Sequence, residues 1–303
     1  MRLERLPLVS TVIPAHNAER FIDEAIGSVR AQTYPRVECI VVDDGSTDRT
    51  LDIARSHDGQ VRTVCQANAG PSAARNAGAC AADGTVLAFL DADDRWRPDL
   101  LSRMLEKLAT TGADAVVCAT RLIDAEGNPT GLLRMAPMPT LESMVMLRAN
   151  LTGVGSSLVV DRGAFDAVGG FDEQLSAGED WELLSRILTS LRLAYLDEPL
   201  AEYRRHAEAR SRNIDAMARN MLRAYEIVFE RAGGELRPLR RRAYARLHRM
   251  LSGSFADAGR PGRAAVHAAR SASYSPLSVA EIVRPALRRV GSAPTGERSP
   301  QKP

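Results

Sequence analysis

Two hydrophobic periods alternate along the first hundred residues of this chain. Val9 to Ile13 is a run rich in β-branched residues closed by Pro14, which predicts a short buried strand. From Phe21 to Gln32 the apolar positions Phe21, Ile22, Ala25, Ile26 and Val29 share one helical face. The pattern then repeats. Val37 to Val42 predicts a strand, Asp43 to Ser46 a turn, and Thr50 to Ser56 a short helix with Leu51, Ile53 and Ala54 on one side. Val61 to Cys65 predicts a third strand, Ser72 to Ala82 an alanine-rich helix, and Val86 to Leu90 a fourth strand. Serial β-α units build a parallel sheet covered by helices on both faces, and such sheets bind ligands beyond the carboxyl ends of their strands. Pro14, Asp43 and Asp91 all fall at those ends, so segments distant in sequence converge on one crevice.

Further along, Leu100 to Leu108 predicts a helix, Ala115 to Leu122 a strand, Gly127 to Pro139 loop, and Ser156 to Val160 a strand. Glu179 to Leu191 predicts a helix with Leu184, Ile187, Leu188 and Leu191 inward and Trp181 packed in the core. Beyond His206 the composition changes. Asn213–Arg231, Arg237–Ala256 and Gly262–Ala272 predict arginine-rich helices, while Ser292–Pro303 has too few apolar residues to fold. The expected organisation is an α/β domain over residues 1–210, a helical region over 211–290 and a disordered tail over 291–303.

Composition adds constraints. The 303 residues are 45% hydrophobic and 26% charged, which is ordinary for a globular protein. A net charge of +2 from 40 basic and 38 acidic residues gives no bulk attraction to polyanions, so no nucleic-acid partner is expected. Cys39, Cys65, Cys80 and Cys118 form no CxxC pair and are expected to be reduced core residues, as in a cytoplasmic protein. The apolar run Leu6–Ile13 is broken by Pro7 and followed by no cleavage pattern, and no stretch reaches the ~18 apolar residues of a membrane span. Any membrane contact is therefore expected to be peripheral, at the inner face.

The candidate chemistry is acidic. Asp91-Ala92-Asp93-Asp94 places three carboxylates at the mouth of a buried strand, where they repel each other and lose hydration unless a cation sits among them. Hard oxygen ligands of this kind select Mg²⁺ or Mn²⁺, which characteristically also takes substrate phosphate, so a diphosphate substrate is expected. Asp93 would bind the metal directly, and Asp91 would touch it through water or touch a ribose. The competing reading is a solvated loop opening the next helix. Asp43-Asp44-Gly45-Ser46 is either a second acidic strand end or a turn and helix cap.

These segments, with Val12-Ile13-Pro14-Ala15-His16-Asn17, Asn68-Ala69-Gly70-Pro71-Ser72-Ala73-Ala74-Arg75-Asn76 and Gly178-Glu179-Asp180-Trp181, resemble in order and spacing the inverting family-2-type glycosyltransferases with the GT-A fold. The resemblance covers residues 8–206. It implies a Rossmann-like, mostly parallel sheet flanked by helices, here followed by a C-terminal helical extension. It also implies that Pro14, His16, Asn17, Asp43 and Asp44 hold the nucleotide, with His16 against the base. Gly70, Ser72, Arg75 and Asn76 would line the donor sugar and diphosphate, and His206 would approach the metal. Asp180 would be the catalytic base, with Glu179 orienting acceptor or base.

Structural alternatives stand beside these roles. The Ala-Arg-Asn-Ala-Gly segment also suits close packing of a helix on the sheet, and Ser176 stands three residues before Glu179 as in a capping box. No GxGxxG or GxxxxGK is present, which excludes the common dehydrogenase and ATPase phosphate loops. A nucleotidyltransferase-like enzyme and a non-catalytic sugar-nucleotide-binding or scaffold protein remain as alternatives. The expected partners are a nucleotide-sugar donor and a saccharide or lipid-linked acceptor in surface polysaccharide synthesis. The basic segment 237–250 is a candidate for contact with anionic lipid, against the alternative of a solvated helix packed through Leu239, Leu247 and Leu251. The oligomeric state is open.

Overall fold

The computed structural model describes residues 6–57, 59–134, 138–148, 153–206, 213–234 and 236–275; the expected tail over 291–303 lies outside them. The chain divides into two compact units, Met1–Gly233 and Gly234–Pro303. The first contains β1 (Val9–Ala15), α1 (Ile22–Arg30), β2 (Val37–Asp44), α2 (Thr50–Ser56), β3 (Val61–Gln66), α3 (Pro71–Ala81), β4 (Val86–Phe89) and β5 (Arg95–Trp96). It continues through α4 (Leu100–Thr111), β6 (Ala115–Ile123), β7 (Pro129–Leu133), α5 (Leu141–Val145), β8 (Leu158–Asp161) and α6 (Arg162–Ala167) to α7 (Glu179–Ser190), β9 (Leu193–Arg204) and α8 (Ile214–Arg231).

The strands form one sheet in the order β3-β2-β1-β4-β8-β6-β9-β5, with β7 paired to β6. Where β-α units follow one another the sheet is parallel, from β3 to β4; β8 then enters antiparallel to both β4 and β6, and β6 and β9 are again parallel. Strand alternation decides which helix meets which residue. Val9, Ile13 and Ala15 join a core with Ile22 and Ile26 of α1 and Leu100 and Met104 of α4. Val12 points to the other face, against α3. There the helix comes so close that a Cβ on Gly78 would lie 2.3 Å from Val12 Cγ1, so any larger residue would push α3 off the sheet. The expected close packing of this segment is therefore present.

Several elements escaped the hydrophobic pattern. The Gly127–Pro139 segment, expected to be loop, contains the strand β7, which Pro129 and Gly131 disguise but which a sheet edge tolerates. β9 is a twelve-residue strand whose pairing with β6 shifts register around Ala119, so its inward and outward positions do not alternate cleanly. The first unit also runs past the expected boundary at residue 210, because α8 packs on α7: Trp181 and Tyr225 stack with ring centroids 5.0 Å apart and planes 4° from parallel. Trp181 is thus a core residue, as expected. Among the cysteines, Cys39 and Cys118 are buried, whereas Cys65 and Cys80 are exposed rather than in the core.

The second unit contains α9 (Arg240–Asp257) and α10 (Pro261–Tyr274). Ala243, Leu247, Leu251 and Phe255 are buried along α9. Ser271 Oγ donates to Ala245 O at 2.8 Å and Ser252 Oγ to Ala264 O at 2.9 Å, which ties the two helices together. No described helix is long and apolar enough to cross a membrane.

Candidate active site

The sheet register puts the ends of β1 and β2 side by side, with Ala15 opposite Asp43, and Val12 opposite Phe89 of β4. Beyond these ends lies a cleft of about 1070 Å³ lined by residues from the β1, β2 and β4 ends, the start of α3 and the N-terminal part of α8. Pro14, His16, Asn17, Asp44, Gly70, Asp91, Asp93 and His206 all line it.

One wall is a hydrogen-bonded frame. Asp44 accepts from Gln66 Nε2 (2.8 Å), Ala69 N (2.8 Å) and Gly70 N (2.9 Å), so its buried carboxylate pins the loop entering α3. The Asp44 carbonyl accepts from His16 Nδ1 at 2.8 Å, which puts that ring proton on Nδ1 and leaves Nε2 to accept from Asn17 Nδ2 at 3.3 Å. Asn17, at φ 49°, takes Thr47 N on its Oδ1 and gives its own N–H to Ser46 Oγ. Asp43 is buried, and its Oδ1 has no hydrogen-bond partner among the described residues. Asp43, expected at the nucleotide, is not among the residues that line the cleft.

The opposite wall is the acidic loop. One carboxylate oxygen each from Asp91, Asp93 and Asp94 lies within 4.8 Å of the others. Asp94 is turned inward: it accepts from Ser156 Oγ (2.5 Å) and from Arg204 N (2.8 Å). Burial, then the neighbouring charges of Asp93 and Asp91, push its pKa well above the usual carboxylate range, against the pull of those two hydrogen bonds. The solvated-loop reading therefore fails for Asp94. α4 begins only at Leu100, so these acids do not open it. Ser156 is a hub that the sequence did not single out. Its hydroxyl also accepts from Asp91 N (3.1 Å), and its carbonyl accepts from Trp96 Nε1 (2.7 Å). Arg204 clamps the loop from outside through a 2.8 Å bond to Asp93 O, its guanidinium 4.8 Å from the Phe21 ring centre. His206 Nε2 donates to Asp93 Oδ2 at 2.9 Å, leaving Nδ1 buried without a hydrogen-bond partner among the described residues.

Behind Asp91 stands the acid pair of α7. Arg75, only 1% exposed, bonds Glu179 Oε1 through Nη1 at 2.8 Å and Asp91 through Nη2. Burial works against its charge, but these two carboxylates outweigh it and raise its pKa. Asp180 has its carboxyl pushed up to about 6, first by burial and then by Glu179, against the pull of Arg75 and of the Trp181 N–H. Gly155 is the point of convergence. A Cβ there would meet Arg75 Nη2 at 3.3 Å, Asp91 Oδ2 at 3.4 Å and Asp180 Oδ2 at 3.9 Å. The donor-side acid and the candidate base therefore face the same bare patch of backbone. The expected capping box is not formed, because Gly178 is the N-cap and Ser176 is engaged with Asn220. Capping does not explain Glu179.

Comparison with known proteins decides the family: residues 10–169 match the profile of glycosyl transferase family 2. The chain belongs to that family. It is 41% identical over 120 residues to an uncharacterized glycosyltransferase of Nostoc sp., a match covering 38% of this chain and 37% of the relative. It is also 35% identical over 198 residues to the succinoglycan biosynthesis protein ExoO of Rhizobium meliloti, covering 61% of this chain and 57% of that one. The chain thus spans little more than a third to a half of these relatives' lengths. The mannosyltransferase PcManGT from Pyrobaculum calidifontis, solved in complex with GDP-Man and Mn²⁺, superposes with a TM-score of 0.63 at 20% identity, over 94% of this chain and 81% of that one. The fold is GT-A.

Within this family-2 frame, three expected donor-site residues have other employment. Ser72 Oγ donates to Leu175 O at 2.8 Å, and both ends of the Asn76 amide bond the Phe171 backbone at 2.9 Å. Arg75 is buried in its two ion pairs, away from the cleft lining. All three buttress the site from behind α3. Glu179 is buried and Asp180 half-buried, with Asp180 beside the cleft-lining Asp91 at Gly155. Conversely, Phe21, Asn68, Ser176 and the α8 residues Ala216, Met217 and Asn220 line the cleft and were not expected. The α8 contribution was hidden because its arginine content marked it as part of a separate region.

Proposed function

We propose that this protein is an inverting glycosyltransferase that moves a sugar from a nucleoside-diphosphate sugar to a hydroxyl of a saccharide or lipid-linked acceptor in polysaccharide assembly. The observation that carries the reading is the convergence of Asp91 and Asp180 on Gly155, which sets a cleft-lining acid beside a base of raised pKa. In this reading the β1 and β2 ends take the nucleotide, where Pro14, His16, Asn17 and Asp44 line the cleft. Asp180 accepts the proton of the acceptor hydroxyl as its oxygen attacks the anomeric carbon from the face opposite the departing diphosphate. One displacement of this kind inverts the anomeric centre and needs no covalent enzyme intermediate. Arg75 holds Glu179 and Asp91 in place through its two ion pairs, apart from the proton transfer.

The acidic loop fits Mg²⁺ or Mn²⁺. Its donors are hard oxygens, two of its three carboxylates line the cleft, and the three carboxylate oxygens lie within 4.8 Å of one another. Asp93 and Asp91 would hold the ion, with His206, whose Nε2 is 2.9 Å from Asp93 Oδ2, as the nitrogen candidate. The chemistry such an ion supplies is charge neutralisation on the diphosphate leaving group, worth several kcal/mol of transition-state stabilisation. The relatives' names in polysaccharide synthesis and the GDP-Man and Mn²⁺ complex of a structural neighbour support the same reading.

Product analysis tests it. Incubation with nucleotide sugars and candidate acceptors is expected to release nucleoside diphosphate, and NMR of the product to show inverted configuration. Release of pyrophosphate would instead point to nucleotidyl transfer. The Asp180→Asn variant is expected to lose about 10²–10⁴-fold in turnover while retaining donor affinity.

A further inference from the structure

The second unit carries a charge pattern that the proposed reaction does not use. Arg237, Arg240, Arg241, Arg242, Arg263 and Arg270 are exposed, and Asp257 is the single carboxylate of the stretch Leu236–Ser275. The arginines stand where they oppose their own helices. Arg240, Arg241 and Arg242 occupy the first turn of α9 and Arg263 that of α10, with no acid in either turn. The helix dipole favours anions at those ends and disfavours cations. Crowded positive charge on a surface is costly unless a polyanion takes it up.

Two observations identify the polyanion. Val266, 50% exposed, sits on the outer side of α10 between Arg263 and Arg270, three residues after one and four before the other, so all three share a face. An aliphatic side chain between arginines matches the boundary of a lipid layer, with the guanidinium groups at the headgroups and the valine in the acyl edge. The same stretch contains no Asn, Gln or Lys, so the amide side chains that read bases are missing from it. We propose that the exposed faces of α9 and α10 dock this protein onto a membrane surface rich in anionic phospholipid.

Vesicle flotation of the full chain tests this. Phosphatidylcholine vesicles containing phosphatidylglycerol are expected to carry the protein up the gradient at low salt and release it at high salt, whereas phosphatidylcholine alone does not carry it. The Arg241→Gln/Arg242→Gln/Arg263→Gln variant is expected to lose about a hundredfold in partitioning, at roughly fivefold per arginine. The corresponding Arg→Lys triple variant should partition like the parent, which separates lost charge from lost fold. Val266→Ser should weaken binding several-fold and leave its salt dependence intact. Equal binding to neutral vesicles, unchanged partitioning of the Gln variant, or displacement from anionic vesicles by a nucleic-acid duplex at the same salt would each overturn the assignment.

Discussion

Arg75 and Glu179 are 104 residues apart in sequence and are joined by a 2.8 Å hydrogen bond from Nη1 to Oε1. Because the other arm of the same guanidinium grips Asp91, one buried cation ties the acidic loop after β4 to the first turn of α7. Three carboxylates, Asp91, Glu179 and Asp180, would otherwise repel each other around Gly155. Arginine suits this place better than lysine, since its planar fork serves two carboxylates at once and it does not give up its proton.

Removing that cation leaves carboxylates facing one another with nothing to offset their desolvation. Arg75→Met is expected to lower folding stability by roughly 3–5 kcal/mol, read by urea unfolding. Arg75→Lys should lose less stability but still reduce turnover, because one ammonium does not hold both Asp91 and Glu179 in place. A fully active lysine variant would refute the bridging role.

The proposed base, Asp180, predicts a pH profile. Asp180 titrates near 6 in the folded chain, against 3.8 when unperturbed, and must be ionised to accept a proton. kcat/KM is therefore expected to rise about tenfold per pH unit below that value and to level off above it. Glu179→Gln removes the neighbouring negative charge, so the acidic limb should move to lower pH, whatever happens to the plateau. The sign for stability is opposite to that for activity: between 3.8 and about 6 the folded chain retains a proton that the unfolded chain releases, so this group costs stability as pH rises through that window.

Much of the first unit was legible because its chemistry and its hydrophobic period coincide. β1, β2 and β4 are each a short apolar run whose proline or acidic end lands at the cleft, so the position of these ends could be read from the sequence. Ser156 was not legible as a functional residue: serine at the start of an apolar run is unremarkable in one dimension, and its hub role depends on Asp91, Asp94 and Trp96 arriving from elsewhere. Gly155 is invisible for a similar reason, since what matters is the side chain it lacks. Arg75, Ser72 and Asn76 were singled out for the donor site, whereas their hydrogen bonds to Glu179, Leu175 and Phe171 come from segments about a hundred residues away that a motif's spacing does not show.

The hub role of Ser156 is directly measurable. Ser156→Ala leaves Asp94 and the Asp91 N–H without their hydroxyl partner in a fully enclosed place, which is expected to cost about 1–3 kcal/mol of stability. The loop that carries Asp91 and Asp93 would lose its inner anchor, so the Michaelis constant for the nucleotide sugar should rise more than turnover falls. An unchanged donor Michaelis constant would show that Trp96 and Arg204 suffice to hold the loop.

The second unit makes a prediction independent of catalysis. His248 and His267 are both buried, and their Nδ1 atoms are 2.9 Å apart, so a single proton is shared between one donor and one acceptor nitrogen. A further proton would set two N–H groups against each other. Burial, then the neighbouring His267 and Arg270, lowers the His248 pKa to about 4; burial with Arg270 and Arg263 lowers that of His267. The unfolded chain therefore binds more protons than the folded one from near 6.5 down to about 4, so stability gained above this window is lost as pH falls through it. Hydrogen exchange, corrected for its intrinsic pH dependence, should show α9 and α10 losing protection at pH 5 relative to pH 7. His267→Gln keeps a hydrogen-bonding partner for His248 without a titrating ring, and should flatten the dependence. A variant that retains the full pH response would place its origin outside the histidine pair.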